Sequence, residues 1–591
     1  MRESSVGERL DRLRSMMAKR GIQAWIATTG DAHLSEYIGA RWQTRAWLSG
    51  FRGSAGRLVV TRDFAGLWVD SRYHQRADAD TEGTPITVFK EGRPGTPELT
   101  AWLATNLPVG AVVGYDPETL SMEAFAEYQA RLSPAGLEPR PAHGLIDEVW
   151  PDRPEEATAP IFAHPLEYAG ETAESKLARL RKRVAGAGAD AVLLTALDEI
   201  AWLLNIRGND VPLNPVALAF CLVDAASARL YVHLDRVDDA LRASLPNEVE
   251  VCDYRAVAEG LAGLQATTAL LLDPTRTSVA LAQAAGHVRL VPHPSPVAHL
   301  KAVKNRTELA GAAAAHLQDG IGLTRLLHWL SECDVAAESE ASVARKLEAF
   351  RAGLPEYRGP SFNTIVAYGP HSSEGHYRTD PEDRQPLGTD GPLLIDCGSH
   401  FRYGTTDTTR TVALGDPTPE QRLAYTLVLK SLIGLSSARF PKGTVGKQLN
   451  ALARAPLWRA GLDCPHGIGH GVGSYLHVHE GPQRIHSRNE EPFGPGMVNS
   501  CEPAVYFEGR FGVRLENVIV TSQDETNAFG EFYRFDTLTL CPFDPALIET
   551  GMLTKDEQAW LNEYHGRVER SLSPHLTERE RAWLRQKTAP V

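Results

Sequence analysis

The sequence predicts two duplicated α/β domains followed by an α+β domain that carries the recognisable chemistry. Three observations predict it. Residues 175–198 echo residues 8–31 at a constant offset of 167. Apolar runs of strand length alternate with amphipathic helical stretches through both copies and beyond. Five side chains able to hold metal ions, Asp396, Asp407, His470, Glu502 and Glu516, fall within the single stretch 394–516.

The chain has 591 residues, room for about three or four domains. With 43% hydrophobic and 23% charged residues it is ordinarily globular. A net charge of −13 gives no attraction for nucleic acid or an anionic membrane, so neither is expected as a partner. The longest apolar candidate, around Val211 to Val223, is interrupted by Pro212, Asn214 and Pro215 and is too short to span a bilayer. The first residues carry charge without an apolar core, so no signal peptide is expected. Seven scattered cysteines without a C-x-x-C pair suggest reduced thiols and a cytoplasmic protein.

In the first copy Leu10, Leu13 and Met17 mark one helical face, Gly21 ends the helix, and Ala24–Thr28 makes a short buried strand. Leu177, Leu180, Gly188, Ala191 and Asp198 stand where the first copy has Leu10, Leu13, Gly21, Ala24 and Asp31. Ile206-Arg207-Gly208 echoes Phe51-Arg52-Gly53. Residues 148–165 contain four prolines and read as the linker between copies. The predicted domains are 1–155, 156–300 and 301–591, the last with a C-terminal extension from about residue 533.

In the third region a long helix is expected over 308–332. Ala310, Ala313, Leu317 and Ile321 lie on one side, and Leu323, Leu326, Leu327 and Leu330 make its later half buried. A second helix spans 341–350. The strand Phe362–Ala367 leads into a loop with His371 and His376. Helices near 419–439 and 445–461 separate the two groups of acids, and 535–543 alternates like a strand. Thr554 and Glu557 form a capping box that opens a helix with Trp560, Leu561 and Tyr564. Two phosphate-loop look-alikes fail. Pro441–Gln448 has the wrong glycine spacing, and the run 467–473 has Val472 where a dinucleotide fingerprint needs glycine. The glycines of that run are expected to let the backbone pass close to bound metal.

Apolar residues flank several of the acids, and a buried ionised carboxylate needs a cation or a metal as partner. Four carboxylates and one imidazole form a hard, oxygen-rich set that favours Mn²⁺ or a similar ion. Five ligands exceed one tetrahedral zinc but suit two ions ~3.5–4 Å apart. Cys397 and Cys501, beside two of the acids, should face away from them as buried thiols.

The local contexts are Leu-Leu-Ile-Asp396-Cys-Gly, Gly-Thr-Thr-Asp407-Thr-Thr-Arg-Thr, His466-Gly-Ile-Gly-His470-Gly-Val-Gly, Ser-Cys-Glu502-Pro and Val-Arg-Leu-Glu516-Asn517. In this order, with steps of 11 between the aspartates and 14 between the glutamates, they resemble the pita-bread metallopeptidases, most of all the long three-domain aminopeptidase P. Segments of the first domain, Gly-Asp-Ala-His and Ser-Gly-Phe-Arg-Gly-Ser-Ala-Gly, share that resemblance. It implies a pita-bread catalytic domain that removes the first residue from peptides with proline second, using water activated between two metal ions. Asp407 and Glu516 would bridge the ions, Asp396 would complete one site, and His470 with Glu502 the other. Glu502 would act as general base. His376, followed by Tyr377, and His479, in its Val-His-Glu-Gly-Pro context, would contact the reacting carbonyl. Arg514, expected on the same strand face as Glu516, would orient ligands. The tail implies a homodimer, though packing alone would equally explain it. Tyr403 departs from the family, which often has an acid there.

Prolidase shares the ligands but usually has one domain before the catalytic one. Methionine aminopeptidase is too short. A metal-free peptidase-like binding module would not need all five ligands. Asp31 and Glu36, in the loop after the first strand, are candidates for receiving a substrate's free ammonium.

Overall fold

A computed structural model describes residues 4–156 and 159–591. The predicted linker, 148–165, therefore lies partly outside the described residues. The chain forms two compact units, Met1–His164 with Glu171–Ala298, and Pro165–Gly170 with His299–Val591.

The first unit contains two six-stranded sheets of the same plan. In one, the spatial order is Thr87–Lys90, Ala65–Val69, Arg57–Thr61, Ala24–Ala27, Val112–Tyr115 and Glu138–Pro141. In the other it is Val249–Asp253, Ala228–Val232, Phe220–Asp224, Ala191–Leu194, Ala269–Leu272 and Arg289–Pro292. The residues matched by the 167-residue offset take the same place. Ala24 pairs antiparallel with Thr61 and parallel with Val113, and Ala191 pairs antiparallel with Asp224 and lies parallel to Leu270. The preceding helices, Val6–Lys19 and Ala173–Gly186, bury Leu10 and Leu13, and Leu177 and Leu180, as their spacing predicts. The match ends after the first strand. Asp31 lies in a loop, whereas Asp198 lies in the helix Leu197–Leu203. His33 joins the copies: its Nδ1 meets the Thr195 carbonyl at 3.0 Å and its Nε2 the Tyr254 hydroxyl at 2.8 Å.

The second unit is antiparallel throughout its sheets. A three-stranded sheet runs Ile365–Tyr368, Pro392–Cys397, Thr408–Ala413. A six-stranded sheet runs Arg439–Pro441, Gly530–Thr537, Asn517–Asn527, Val498–Cys501, Gly469–Gly471, Glu480–Ile485. The long helix Arg306–Glu332 starts with a capping box from Asn305 and Glu308. Leu323, Leu326, Leu327 and Leu330 are buried against Val366, Leu393 and Ile395 of the smaller sheet. Its first half differs from the expectation: Ala310 and Ala313 are exposed, and the buried side carries Ala312, Ala315, His316 and Asp319. Asp319 is matched there by Arg351 at 2.8 Å and the Ser399 hydroxyl at 2.8 Å, so a polar pair occupies the stripe that apolar periodicity looks for.

Three further expectations are corrected. The strand near 362 starts only at Ile365. The strand expected over 535–543 ends at Thr537, because the Cys541 and Pro542 carbonyls accept hydrogen bonds from Arg410 instead of a ladder. The glycines flanking His470 admit neighbouring protein: a Cβ at Gly469 would collide with the Ser500 carbonyl, and one at Gly471 with the Gln483 side chain. The helices Pro419–Ser436 and Gly446–Arg459, and the capping box at Thr554, are as predicted.

Candidate metal centre

These two sheets of the second unit, the three-stranded and the six-stranded, present their acids in the same way. Asp396 lies near the end of its strand opposite Thr409, and Asp407 directly precedes Thr408, which pairs with Cys397. Glu502 follows Cys501 and Glu516 precedes Asn517, and Cys501 pairs with Asn517. Each pair of acids thus sits at one end of an antiparallel ladder, which is why both pairs have short steps in sequence. The Glu516 N–H donates to the Thr409 carbonyl at 3.0 Å and ties the two ladder ends together.

The donor atoms form three groups, each within 4.8 Å: Asp396, Asp407 and Glu516; His470, Glu502 and Glu516; and Asp407, His470 and His479. Asp407, His470 and Glu516 each belong to two of them. Asp396, Asp407 and Glu516 are buried, while His470 and Glu502 are half-buried. His470 Nε2 stands 3.5 Å from Asp407 and 3.4 Å from Glu502. Its Nδ1 donates to the Gly471 carbonyl at 2.9 Å, which turns Nε2 toward Asp407 and Glu502.

The electrostatics fit a cation. Burial, with Asp407 and Glu502 nearby and Arg514 opposing, raises the Asp396 carboxyl to about 6. Burial and the charges of Asp407 and Glu502 hold Glu516 well above the usual carboxylate range. Burial opposes the charged form of His470, but the Asp407 hydrogen bond and the Glu502 charge outweigh it and raise the imidazole to about 9. Asp396 Oδ1 is buried without a hydrogen-bond partner, and a cation is the partner that a buried carboxylate oxygen suits. The donors are carboxylate oxygen and imidazole nitrogen, so two hard divalent ions suit them.

Arg514 is buried and its Nη2 meets Asp396 Oδ2 at 2.5 Å, so it is no surface ion pair. It does not share a strand with Glu516. It ends the strand Phe511–Arg514, and Glu516 lies in the link to the next strand. The guanidinium also donates to the Gly375 carbonyl at 3.0 Å, directly before His376. His376 is half-buried in its loop. His479 stands edge-on to His470, ring centroids 4.5 Å apart, while His477 Nδ1 accepts from the His479 N–H at 3.0 Å. Cys397 and Cys501 are buried thiols, pushed up by burial.

Several contributors escape sequence reading. The Thr409 hydroxyl donates to Glu516 Oε2 at 2.8 Å. The Tyr506 hydroxyl joins Arg514 to His466 Nε2. Glu340 accepts from the Tyr377 hydroxyl at 2.6 Å and meets His371 Nδ1 at 2.8 Å, so His371 braces the His376 loop. Arg410 is fully buried and donates to the carbonyls of Glu516, Cys541 and Pro542, to Asn517 Oδ1 and to the Tyr564 hydroxyl. Its signal was available: an arginine inside an otherwise uncharged strand.

Of the two acids proposed to meet a substrate amine, Asp31 is excluded. It is fully buried, and its Oδ1 accepts from the N–H groups of His33 and Ser35 at 3.0 and 2.9 Å. It is a loop brace. Glu36 is half-buried.

The fold and this acid-rich centre define a metallopeptidase. Residues 300–523 match metallopeptidase family M24, and 531–591 match the C-terminal region of peptidase_M24. Residues 9–149 and 152–308 each match a creatinase/prolidase N-terminal domain. A probable Xaa-Pro aminopeptidase P of Laccaria bicolor is 37% identical over 99% of this chain and 93% of its own length. Aminopeptidase P1 of Arabidopsis thaliana is 35% identical over 99% of each chain. The chain belongs to the aminopeptidase P family. A crystal structure of X-prolyl aminopeptidase from Caenorhabditis elegans, described as a cytosolic enzyme with a di-nuclear active site, superposes with a TM-score of 0.95 at 33% identity, covering 99% of this chain and all of that one. An Xaa-Pro dipeptidase from Bacillus anthracis shares the fold at 22% identity and a TM-score of 0.52, covering 63% of this chain and 99% of its own.

Proposed function

We propose that the chain is a metal-dependent Xaa-Pro aminopeptidase, hydrolysing the first peptide bond of peptides whose second residue is proline. The observation that carries the reading is the convergence of Asp396, Asp407, His470, Glu502 and Glu516 in overlapping donor groups, linked through the members that the groups share. Full-length similarity to proteins named Xaa-Pro aminopeptidase supports the substrate class. Asp407 and Glu516 would bridge two ions, Asp396 would complete one position, and His470 and Glu502 the other. The hard donor set favours Mn²⁺. Bound there, the two ions would supply activated water at neutral pH and polarise the scissile carbonyl.

The chain's own residues do the rest. Glu502, half-buried beside His470, takes the proton from the attacking water and returns it to the leaving proline nitrogen. His376 and His479 donate hydrogen bonds to the carbonyl oxygen as charge develops on it. Arg514 holds Asp396 and the backbone before His376 in one arrangement. No described helix is long and apolar enough to cross a membrane, and a cytoplasmic location and a homodimer go with this reading.

The test is a peptide panel with metal analysis of the same sample. Cleavage of Xaa-Pro-Yaa with Xaa-Ala-Yaa nearly untouched, up to two ions per chain and best activation by Mn²⁺ are expected. Release of Met from Met-Ala peptides alone, cleavage restricted to dipeptides, or full activity after chelation would overturn it.

A further inference from the structure

Directly after His479 stands a group of buried charges that the reaction above does not use. The Glu480 side chain is fully buried. Lys301 Nζ donates to its Oε1 at 2.7 Å, and Lys304 Nζ donates to its Oε2. Both lysine side chains are almost wholly buried, at 3% and 2% exposure. All three belong to the second unit. The segment with the lysines is itself fastened down: the Lys304 N–H donates to the Gly496 carbonyl at 3.0 Å, and Val303 bridges to Met497, just before the strand that leads to Glu502. Glu480 in turn opens the strand Glu480–Ile485, and it lies opposite Gly471, the neighbour of His470.

Stability does not account for this arrangement. Moving each charge out of water costs several kcal/mol, and apolar side chains of similar volume often serve a core equally well or better. What a buried ionic group can supply is one defined position of the chain that carries it. Here that chain is Val478–Glu480, whose His479 ring stands 4.5 Å from that of His470. We propose that Glu480, gripped by Lys301 and Lys304, is a positioning residue that fixes where the His479 imidazole meets the reacting carbonyl. The inference rests on the role given to His479 above.

The experiment removes all three charges together, so that none is left buried alone: Lys301→Met, Lys304→Met and Glu480→Gln in one chain. It is assayed on the Xaa-Pro peptide that the wild type cleaves, with metal content measured, and again in a His479→Ala background. kcat should fall about 10–100-fold, the range typical of supporting contacts, with KM and metal content within about twofold. In the His479→Ala background the same change should lower kcat less than about twofold, because the clamp acts through a side chain already gone. Should the triple variant fail to fold, Glu480→Asp keeps the charge and shortens its reach, and the same dependence on His479 is expected of it. Equal losses in both backgrounds, or no loss in either, would overturn the clamp. An inactive wild type would instead overturn the functional reading, and the clamp with it.

Discussion

The first unit and the metal centre of the second bury acids in opposite ways. In the first, each acid has its own partners. Asp210 faces Arg236 at 2.9 Å and accepts from the Leu218 N–H, Asp31 accepts from two backbone N–H groups, and Glu199 takes the Ser295 hydroxyl. In the second, four acids share one arginine and one imidazole at the ladder ends. Burial is common to both. An excess of acids over cations is what marks the second as a place for metal ions, and the raised carboxyls of Asp396 and Glu516 are its signature.

This contrast can be broken by experiment. The largest effect expected is from Glu502→Gln, which should lower kcat about a thousandfold with circular dichroism unchanged. More than a tenth of wild-type kcat remaining would remove Glu502 as the base. Next, Asp210→Asn and Glu516→Gln should move the stability of the chelated protein differently. The first leaves Arg236 buried without its partner and should cost about 3 kcal/mol. The second removes a like charge from a crowded cluster and should leave the denaturant midpoint unchanged or higher. Equal falls in both would erase the distinction between individually paired acids and those of the centre.

A pH series sharpens it further. Asp396 is raised to about 6 in the metal-free chain, so the stability tied to its protonation is present below about 4 and lost as pH rises through about 6. A bound cation favours the ionised form, so the rise in Tm on adding Mn²⁺ should grow from pH 4 to pH 7 and metal uptake should release protons. A Tm shift independent of pH would contradict the placement of Asp396 among the ligands. The smallest effect expected is from Glu36→Ala, a fall of more than tenfold in kcat/KM for Xaa-Pro peptides (tenfold being ~1.4 kcal/mol) without loss of metal. A change under twofold would leave the first domain as scaffold.

The acids of the centre were legible because ladder ends impose short, fixed steps, and because buried acids among apolar residues need a partner. The duplication was legible for a similar reason, since Leu10, Gly21 and Ala24 each have a counterpart performing the same task. What stayed hidden depends on partners distant in sequence. Ala310 and Ala313 looked like a core stripe, but Arg351 makes Asp319 acceptable inside and rotates the buried face. Asp31 looked like a loop acid open to substrate, but the N–H groups of His33 and Ser35 turn it inward. Thr409, Tyr506 and Glu340 are ordinary residues in sequence, and only folding puts them against Glu516, Arg514 and the His376 loop.

Arg410 sets an order of events during synthesis. The four acids and the imidazole of the centre are complete once residue 516 has been made. The guanidinium that holds the Glu516 carbonyl, however, also requires the carbonyls of Cys541 and Pro542 and the hydroxyl of Tyr564. A nascent chain that has left the ribosome only as far as Glu516 therefore carries every ligand but holds a buried cation without most of its acceptors. Metal capture in the finished geometry must wait for the helix Lys555–Leu572 to emerge, so the segment after the ligands governs when the centre can first form.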